Sequence, residues 1–366
     1  MKTLWILLFS LLSASMGFAQ QADLVMTIGG DVNFTKHLQR PEAGGVKLSS
    51  KIVPFADLTR GLLPMIQGAD VNFANIETVI TDEALSPVEK TFNFQSHPAG
   101  IQHLIDIGYN LFSLANNHSH DYGRRGIDQT LSFMRQFERL RGIGHSGLGE
   151  NLETAMTPNI FTVRGIRIGF LAFGNNGFYP TQSESGVLSY NKEEHIQTGL
   201  KRLREADVDL RIISIHTGTE RKVDLDSGQQ SKFNRMLELG NVNVIIGHHP
   251  HVVRPVEAVN GRLIFYSLGN YLMTGSANIT NNGVAQDYGL LGKIYFKRNP
   301  SSGQLEIAAA QAIPITNTHA YVQQLPAAEA RKRIEFLNQL SRKNLNNSAV
   351  QFQIHEATGT GQWRKQ

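Results

Sequence analysis

The sequence predicts an α/β protein, and three observations carry that expectation. Short apolar runs alternate with amphipathic stretches from residue 24 onward. The runs have strand length, whereas the stretches between them repeat apolar residues at helical spacing. Hydrophobic residues make up 41% and charged residues 18% of the 366-residue chain, which suits one large buried core and excludes a disordered or fibrous protein.

In chain order, strands are expected over 24–28, 71–74, 110–115, 166–173, 210–215, 242–246 and 263–268. Two more follow over 289–297 and 305–315. Helices are expected over 52–67, 98–107, 126–141, 193–206 and 229–239. Pro326 then opens an amphipathic helix to about residue 344, in which Arg331, Lys332, Arg333, Arg342 and Lys343 form a basic, solvated face. The division expected is a main domain over 20–283, strands and a helix completing it over 284–347, and a flexible tail over 348–366.

Ahead of the first strand, Lys2, an apolar stretch over 4–12 and Gly17-Phe18-Ala19 before Gln20 form a signal-peptide pattern over 1–19. The apolar stretch is too short to span a bilayer comfortably, and nothing later resembles a transmembrane helix. The expectation is an exported chain, periplasmic or secreted, without a transmembrane anchor after cleavage. The chain has no Cys, which removes thiolate catalysis, disulfides and cysteine-held zinc. A formal charge of +4 is too weak to argue for nucleic acid.

What the apolar runs lead into is more telling. The first ends in Gly30-Asp31, the second in Asn75-Ile76-Glu77 and the third in Asn116-Asn117-His118. Later ones end in His216 and in Gly247-His248-His249-Pro250-His251. Ligands of α/β sheets bind at the carboxyl ends of strands, where such residues converge. A single histidine is most simply a surface or hydrogen-bonded core residue, but a set ending successive strands is not. His249 and His251 are two apart and share a side in an extended segment; Gly247 would let the backbone approach a bound ion, and Pro250 would fix the chain between them. Asp31, Glu77, Asn117, His118, His216, His249 and His251 mix oxygen with imidazole, which suits a divalent transition metal (Mn, Fe or Zn), as one or two ions. Gly142 to Gly147 fits the dinucleotide glycine pattern on paper, but it follows a helix and reads as a helix stop and loop.

These blocks resemble the CapA family, the poly-γ-glutamate and capsule synthesis proteins, similar in turn to calcineurin-like metallophosphoesterases. The matching stretches are Gly29-Gly30-Asp31, 72–78, Leu114-Ala115-Asn116-Asn117-His118 with His120-Asp121-Tyr122-Gly123, 214–220, 246–252 and 266–271. The resemblance implies a four-layer αββα sandwich of the metallophosphatase-like type, with a dimetal cleft. It adds Asn75 to the candidate ligands, pairs Asn117 with His118 as catalytic residues, and makes His118 the acid that protonates the leaving group. Asn33 stands where phosphoesterases carry a histidine, and Asn75 or Glu77 must replace their bridging Asp. Arg124, Arg125 and Arg254 adjoin the His118 and His251 blocks and could hold an anionic substrate, although salt bridges explain them as well.

Two functional readings follow. One is an exported metal-dependent hydrolase acting on a γ-glutamyl amide or a phosphoester. The other is a non-catalytic binding or export protein for an anionic polymer such as poly-γ-glutamate, working with capsule or polyglutamate synthesis machinery. Export is directly testable: N-terminal sequencing of periplasmic or extracellular material should begin at or near Gln20. Recovery only as a full-length, membrane-embedded chain would overturn it.

Overall fold

The structure is a computed structural model describing residues 22–175, 177–274 and 287–365; the leader expected over 1–19 lies outside them. The strands that build the sandwich are β1 (Leu24–Asn33), β2 (Val71–Ile76), β3 (Leu111–Ser113), β4 (Gly144–Ser146), β5 (Asn159–Val163), β6 (Ile166–Gly174), β7 (Leu210–His216) and β8 (Val244–His248). They continue with β9 (Val256–Val259), β10 (Arg262–Phe265), β11 (Asn270–Met273), β12 (Gly289–Arg298), β13 (Leu305–Thr316), β14 (Gln353–Ile354) and β15 (Gly361–Arg364). The long helices are α1 (Pro98–Asp106), α2 (Gly123–Arg141), α3 (Glu193–Glu205), α4 (Gln229–Leu239) and α5 (Ala327–Leu345).

The first sheet runs in the order β14-β15-β13-β12-β1-β2-β3-β4, with β11 also paired to β1. The second runs β5-β6-β7-β8-β10-β9. Their facing sides share one core, in which the rings of Phe73 and Phe170 lie 5.8 Å apart edge to face. Helices α3 and α4 cover the outer side of the second sheet, burying Ile196, Leu200, Phe233 and Met236 against Leu171, Phe173, Ile213 and Ile215. Helices α1 and α2 bury Ile101, Leu104, Ile127 and Leu131 into the core of the first. The result is the four-layer αββα sandwich that the resemblance implies. No helix among the described residues is long and apolar enough to cross a membrane.

Parallel pairing carries the functional consequence. β1, β2, β3 and β4 are parallel neighbours, as are β6, β7, β8 and β10, so their carboxyl ends meet at one edge. The register sets Asp31 beside Asn75 on one flank and Asn270 on the other, and His216 beside His248. β1 is irregular on either side of Asp31, a bulge of the kind that re-aims a side chain.

Two expectations are corrected. The single helix over 52–67 is instead a strand at Lys51–Val53 followed by short helices at Phe55–Thr59 and Leu63–Ile66. Pro54 disfavours helical backbone at Val53, and Pro64 restarts the chain at a new first turn. The tail is not flexible: Gly361–Arg364 pairs antiparallel with Ala309–Ala312 of β13, and Trp363 packs on the core. The physical reason is β13 itself, a twelve-residue, largely buried strand that would otherwise leave a long open edge. Deleting residues 353–366 should therefore lower the thermal midpoint by roughly 4 °C or more and promote association through β13, measured by calorimetry and light scattering. An unchanged midpoint would show that the pairing contributes nothing.

Candidate metal centre

Asp31 ends the regular part of β1, and Asn75 and Glu77, two residues apart at the end of β2, turn to the same side. His216 is the last residue of β7, and His249 and His251 follow β8. Two groups of side chains converge there. Glu77, His216 and His249 form one, and Asp31, Glu77 and His251 form the other, each with its candidate ligand atoms within 4.8 Å of one another. Glu77 belongs to both, so it occupies the position of a bridge.

Backbone geometry brings the last two histidines in. His249 has φ 96° and His251 φ 57°, both left-handed. The segment is therefore not extended, and the histidines converge through a conformation that costs about 1–3 kcal/mol per residue. Gly247 is likewise required for another reason than closeness to an ion: a Cβ there would stand 2.2 Å from the Tyr266 carbonyl oxygen. Gly30 serves the same end beside β11, where a Cβ would meet the Gly269 carbonyl oxygen at 2.0 Å.

Most of the cluster is held by hydrogen bonds from a second layer. Asn75 Nδ2 donates to Asp31 Oδ1 at 2.8 Å, and His251 Nδ1 meets Asn270 Oδ1 at 2.8 Å. That fixes the His251 ring with Nε2 3.8 Å from Glu77 Oε1. His216 Nε2 lies 2.7 Å from Asn117 Oδ1, 3.1 Å from His249 Nδ1 and 3.4 Å from Glu77 Oε1. Beside them, His118 Nδ1 pairs with Asp121 Oδ2 at 2.6 Å, and its Nε2 stands 3.9 Å from Glu77 Oε1. Asp121 is anchored in turn by Lys90 Nζ at 2.7 Å and the Phe94 amide at 2.7 Å, while the Phe94 ring sits 4.4 Å from that of His118.

The residues fit a cation, and the orphaned atoms show why. Both carboxylate oxygens of Glu77 and Asn75 Oδ1 are buried without a hydrogen-bond partner among the described residues. Burial, then the charges of Asp31 and Glu220, push the Glu77 pKa well above the usual carboxylate range. Asp31 moves the other way: burial raises it, but His248, His251 and Asn75 overcome that and hold it low. Burial and the neighbouring histidines hold His216 well below its ordinary pKa and bring His249 to about 4, so both are neutral, the form that binds metal. Burial also lowers His118, with Asp121 opposing.

The remaining predicted residues fall elsewhere. Asn33 is turned into its own loop, bonding the Thr35 carbonyl and amide at 2.7 and 3.1 Å. Arg254 as a substrate-binding residue is a correction. It is fully buried and held by Asp226, Gln229 and the carbonyls of Thr219 and Lys222, so it braces the loop after β7. Arg125 is paired with Glu83, and Arg124 with Glu184 at 3.0 Å beside the Phe178 ring. Sequence reasoning assigned no role to Asp121 and Asn270, although both lie inside the motif blocks that carry the resemblance. It also passed over His248, fully buried and stacked between Phe73 and His216, with Nδ1 3.4 Å from Asp31 Oδ1 but not aligned for a hydrogen bond.

Glu77 yields a prediction whose sign depends on metal. Its pKa is raised on folding, so its contribution is favourable below about 4.5 and is lost as pH rises toward the higher folded value. In EDTA-treated protein, Glu77→Gln should therefore stabilise, by about 1–3 kcal/mol at neutral pH and negligibly near pH 4.5. Given Mn, Fe or Zn, the variant should instead lose the metal-induced rise in thermal midpoint that the wild type shows. His216→Ala and His249→Ala should lower metal occupancy with the fold retained. Equal behaviour of Glu77→Gln with and without metal would remove Glu77 from the centre.

Comparison with known proteins agrees with this reading of the motifs. The chain is 28% identical over 246 residues to the PGA biosynthesis protein CapA of Bacillus subtilis (strain 168), covering 67% of this chain and 62% of that protein. It is 24% identical over 275 residues to the capsule biosynthesis protein CapA of Bacillus anthracis, covering 73% and 64%. The matches thus span less than two thirds of those relatives' own lengths. Among solved structures, the calcineurin-like phosphoesterase YfkN of Bacillus subtilis aligns with a TM-score of 0.46 at 12% identity, over 87% of this chain and 97% of that one. Residues 25–274 match the family described as bacterial capsule synthesis protein PGA_cap, from Asp31 through the last histidine of the cluster, and the chain belongs to that family.

Proposed function

We propose that the chain is an exported, metal-dependent hydrolase of capsule or poly-γ-glutamate biosynthesis, acting on a γ-glutamyl amide or a phosphoester. One observation carries the reading: a fully buried carboxylate, Glu77, is shared by two ligand groups and has no hydrogen-bond partner among the described residues. A surface that only binds polymer has no need of it. Asp31, Asn75, Glu77, Asn117, His216, His249 and His251 would hold one or two divalent ions. Such ions supply Lewis-acid polarisation and activate water for hydrolysis.

The protein's own contribution is proton handling and orientation. With Nδ1–H given to Asp121, resting His118 keeps a lone pair on Nε2, facing Glu77. It accepts there the proton that the attacking water gives up and passes it to the leaving group, with Asp121 steadying the charged imidazole against the cost of burial. Lys90 holds Asp121 in place through their ion pair. Arg124, paired with Glu184 beside Phe178, would exchange that carboxylate for one of the substrate. The names of the CapA relatives support an anionic polymer as the substrate.

The non-catalytic reading has one observation in its favour. Asn33 points away from the cluster, so the first block contributes a single ligand candidate, Asp31. Metal-loaded protein should cleave γ-linked polyglutamate, a γ-glutamyl peptide or a generic phosphodiester. His118→Ala should lower that turnover by roughly 10²–10⁴ with metal content kept. Salt-sensitive binding of polyglutamate with no cleavage of any substrate would replace the hydrolase by a binding or export protein.

A further inference from the structure

Next to the cleft, exposed cations and exposed apolar side chains share one face of the fold. It is built from residues 36–53, which follow β1, and from Phe92 on the segment that carries Lys90 and Phe94 to His118. Residues 36–51 hold Lys36, Arg40, Lys47 and Lys51 against one acid, Glu42. All four cations are exposed, and none forms an ion pair among the described residues. The basic helix α5 differs, since its Arg331, Lys332 and Lys343 are paired with Glu356, Glu329 and Asp224. Seven large hydrophobic side chains are exposed among the described residues, and three belong to this face: Leu38 at 53%, Ile52 at 53% and Phe92 at 55%.

Short contacts join these residues into one surface. The Leu38 amide donates to the Asn93 carbonyl at 3.1 Å, the Asn93 amide donates to His37 Nδ1 at 2.9 Å, and the His37 and Phe92 rings meet edge to face at 5.6 Å. Gln39 accepts from the Lys36 amide at 3.4 Å and donates to the Lys47 carbonyl at 3.4 Å. Lys47 lies directly across from Ile52 in the hairpin of Val46–Leu48 and Lys51–Val53, so the two share a side. That side faces outward, because Val46, Leu48 and Val53 on the other pack on the core.

Leu38 is the most informative of the three. Its φ of 55° is left-handed, which a bulky side chain rarely adopts, yet the side chain is more than half exposed. Packing within the chain therefore does not explain the strain, and contact with something outside the chain does.

The mixture of groups selects the partner. A soluble polyanion would engage the cations and leave Leu38, Ile52 and Phe92 in water. A stable protein complex takes roughly 800 Å² from each partner, of which three half-exposed side chains supply a small part. A bilayer with anionic headgroups uses both, its phosphates meeting the cations while the apolar tips enter the headgroup boundary.

We infer that residues 36–53 with Phe92 form a peripheral docking surface for a bilayer containing anionic phospholipid. Docking there would set the metal centre beside the membrane, since β1 ends at that centre and the segment of Phe92 anchors Asp121. Membrane docking is independent of whether the centre hydrolyses anything.

The test is co-sedimentation with vesicles of the chain from Gln20 onward, which contains every described residue but not the apolar leader. Vesicles of equal parts phosphatidylcholine and phosphatidylglycerol should bind it, and added salt should release it. Phosphatidylcholine alone should bind more weakly by about tenfold or more. Lys36→Gln with Lys47→Gln should weaken binding by about fivefold per cation removed. Leu38→Ser with Phe92→Ser should weaken it by roughly tenfold at unchanged charge. If that pair does not fold, Ile52→Ser decides, because its exposed side chain stands on the outer side of the hairpin. Arg331→Gln with Lys332→Gln removes the same charge from α5 and should leave binding as in wild type. No binding to either vesicle, or equal losses from the two charge pairs, would overturn the docking surface. Binding that needs the cations but not Leu38, Ile52 or Phe92 would replace the bilayer by a soluble polyanion.

Discussion

The site depends on one buried carboxylate that the described residues do not satisfy. Asp31 has Asn75, His251 has Asn270 and His118 has Asp121, but among the described residues neither oxygen of Glu77 has a hydrogen-bond partner. Removing one partner from a buried charge pair costs about 3–5 kcal/mol, so a carboxylate in that condition is tolerated only for a return. The surroundings specify what the return is. Neutral imidazoles of His216 and His249 lie on one side, and anionic Asp31 with His251 on the other. A proton relieves only part of this arrangement, whereas a divalent cation meets all of it.

Maintaining the cluster requires rigidity elsewhere. His249 and His251 hold left-handed backbone, and such strain persists only where the surroundings over-determine it. The close approach of Gly247 to Tyr266 locks the chain before them, and Asn270 holds the ring after them. Arg254, three residues past His251, is buried in a network that ties this segment to the loop after His216. The three histidines are therefore fixed relative to one another by packing and hydrogen bonds. A site preorganised in this way would bind metal without having to fold around it.

Much of this was legible in the sequence because the relevant signals are local. An apolar run that stops at Asp31, Glu77 or His216 marks a strand end and its residue together, and helical periodicity located α1 to α5 to within a few residues. What escaped was non-local. The pairing of Gly361–Arg364 with Ala309–Ala312 joins segments about fifty residues apart, and the polar, glycine-containing tail gives no sign of it. Arg254 reads equally as a substrate cation or a salt-bridge partner until the fold buries it against Asp226 and Gln229. Asn270 is a second-layer partner of His251, and such partners have ordinary composition; only geometry gives them a role. His249 and His251 come together through left-handed backbone, not through alternation in an extended strand.

The division of labour between the two sheets explains why the cleft lies where it does. Loops of the first sheet supply Asp31, Glu77 and the assembly of His118, Asp121 and Lys90. The second sheet supplies the three histidines. Ligands and proton-transfer groups thus meet only across the seam between sheets, where Glu77 touches His216 and His251. On the hydrolase proposed above, a substrate would lie along that seam, with its reacting bond between His118 and the histidine cluster. The packing of Phe73 against Phe170 and His248 sets the spacing of that seam. Core residues beneath the cleft therefore set the geometry of the candidate centre as well as the stability of the fold, because a shift of either sheet moves half of the site relative to the other half.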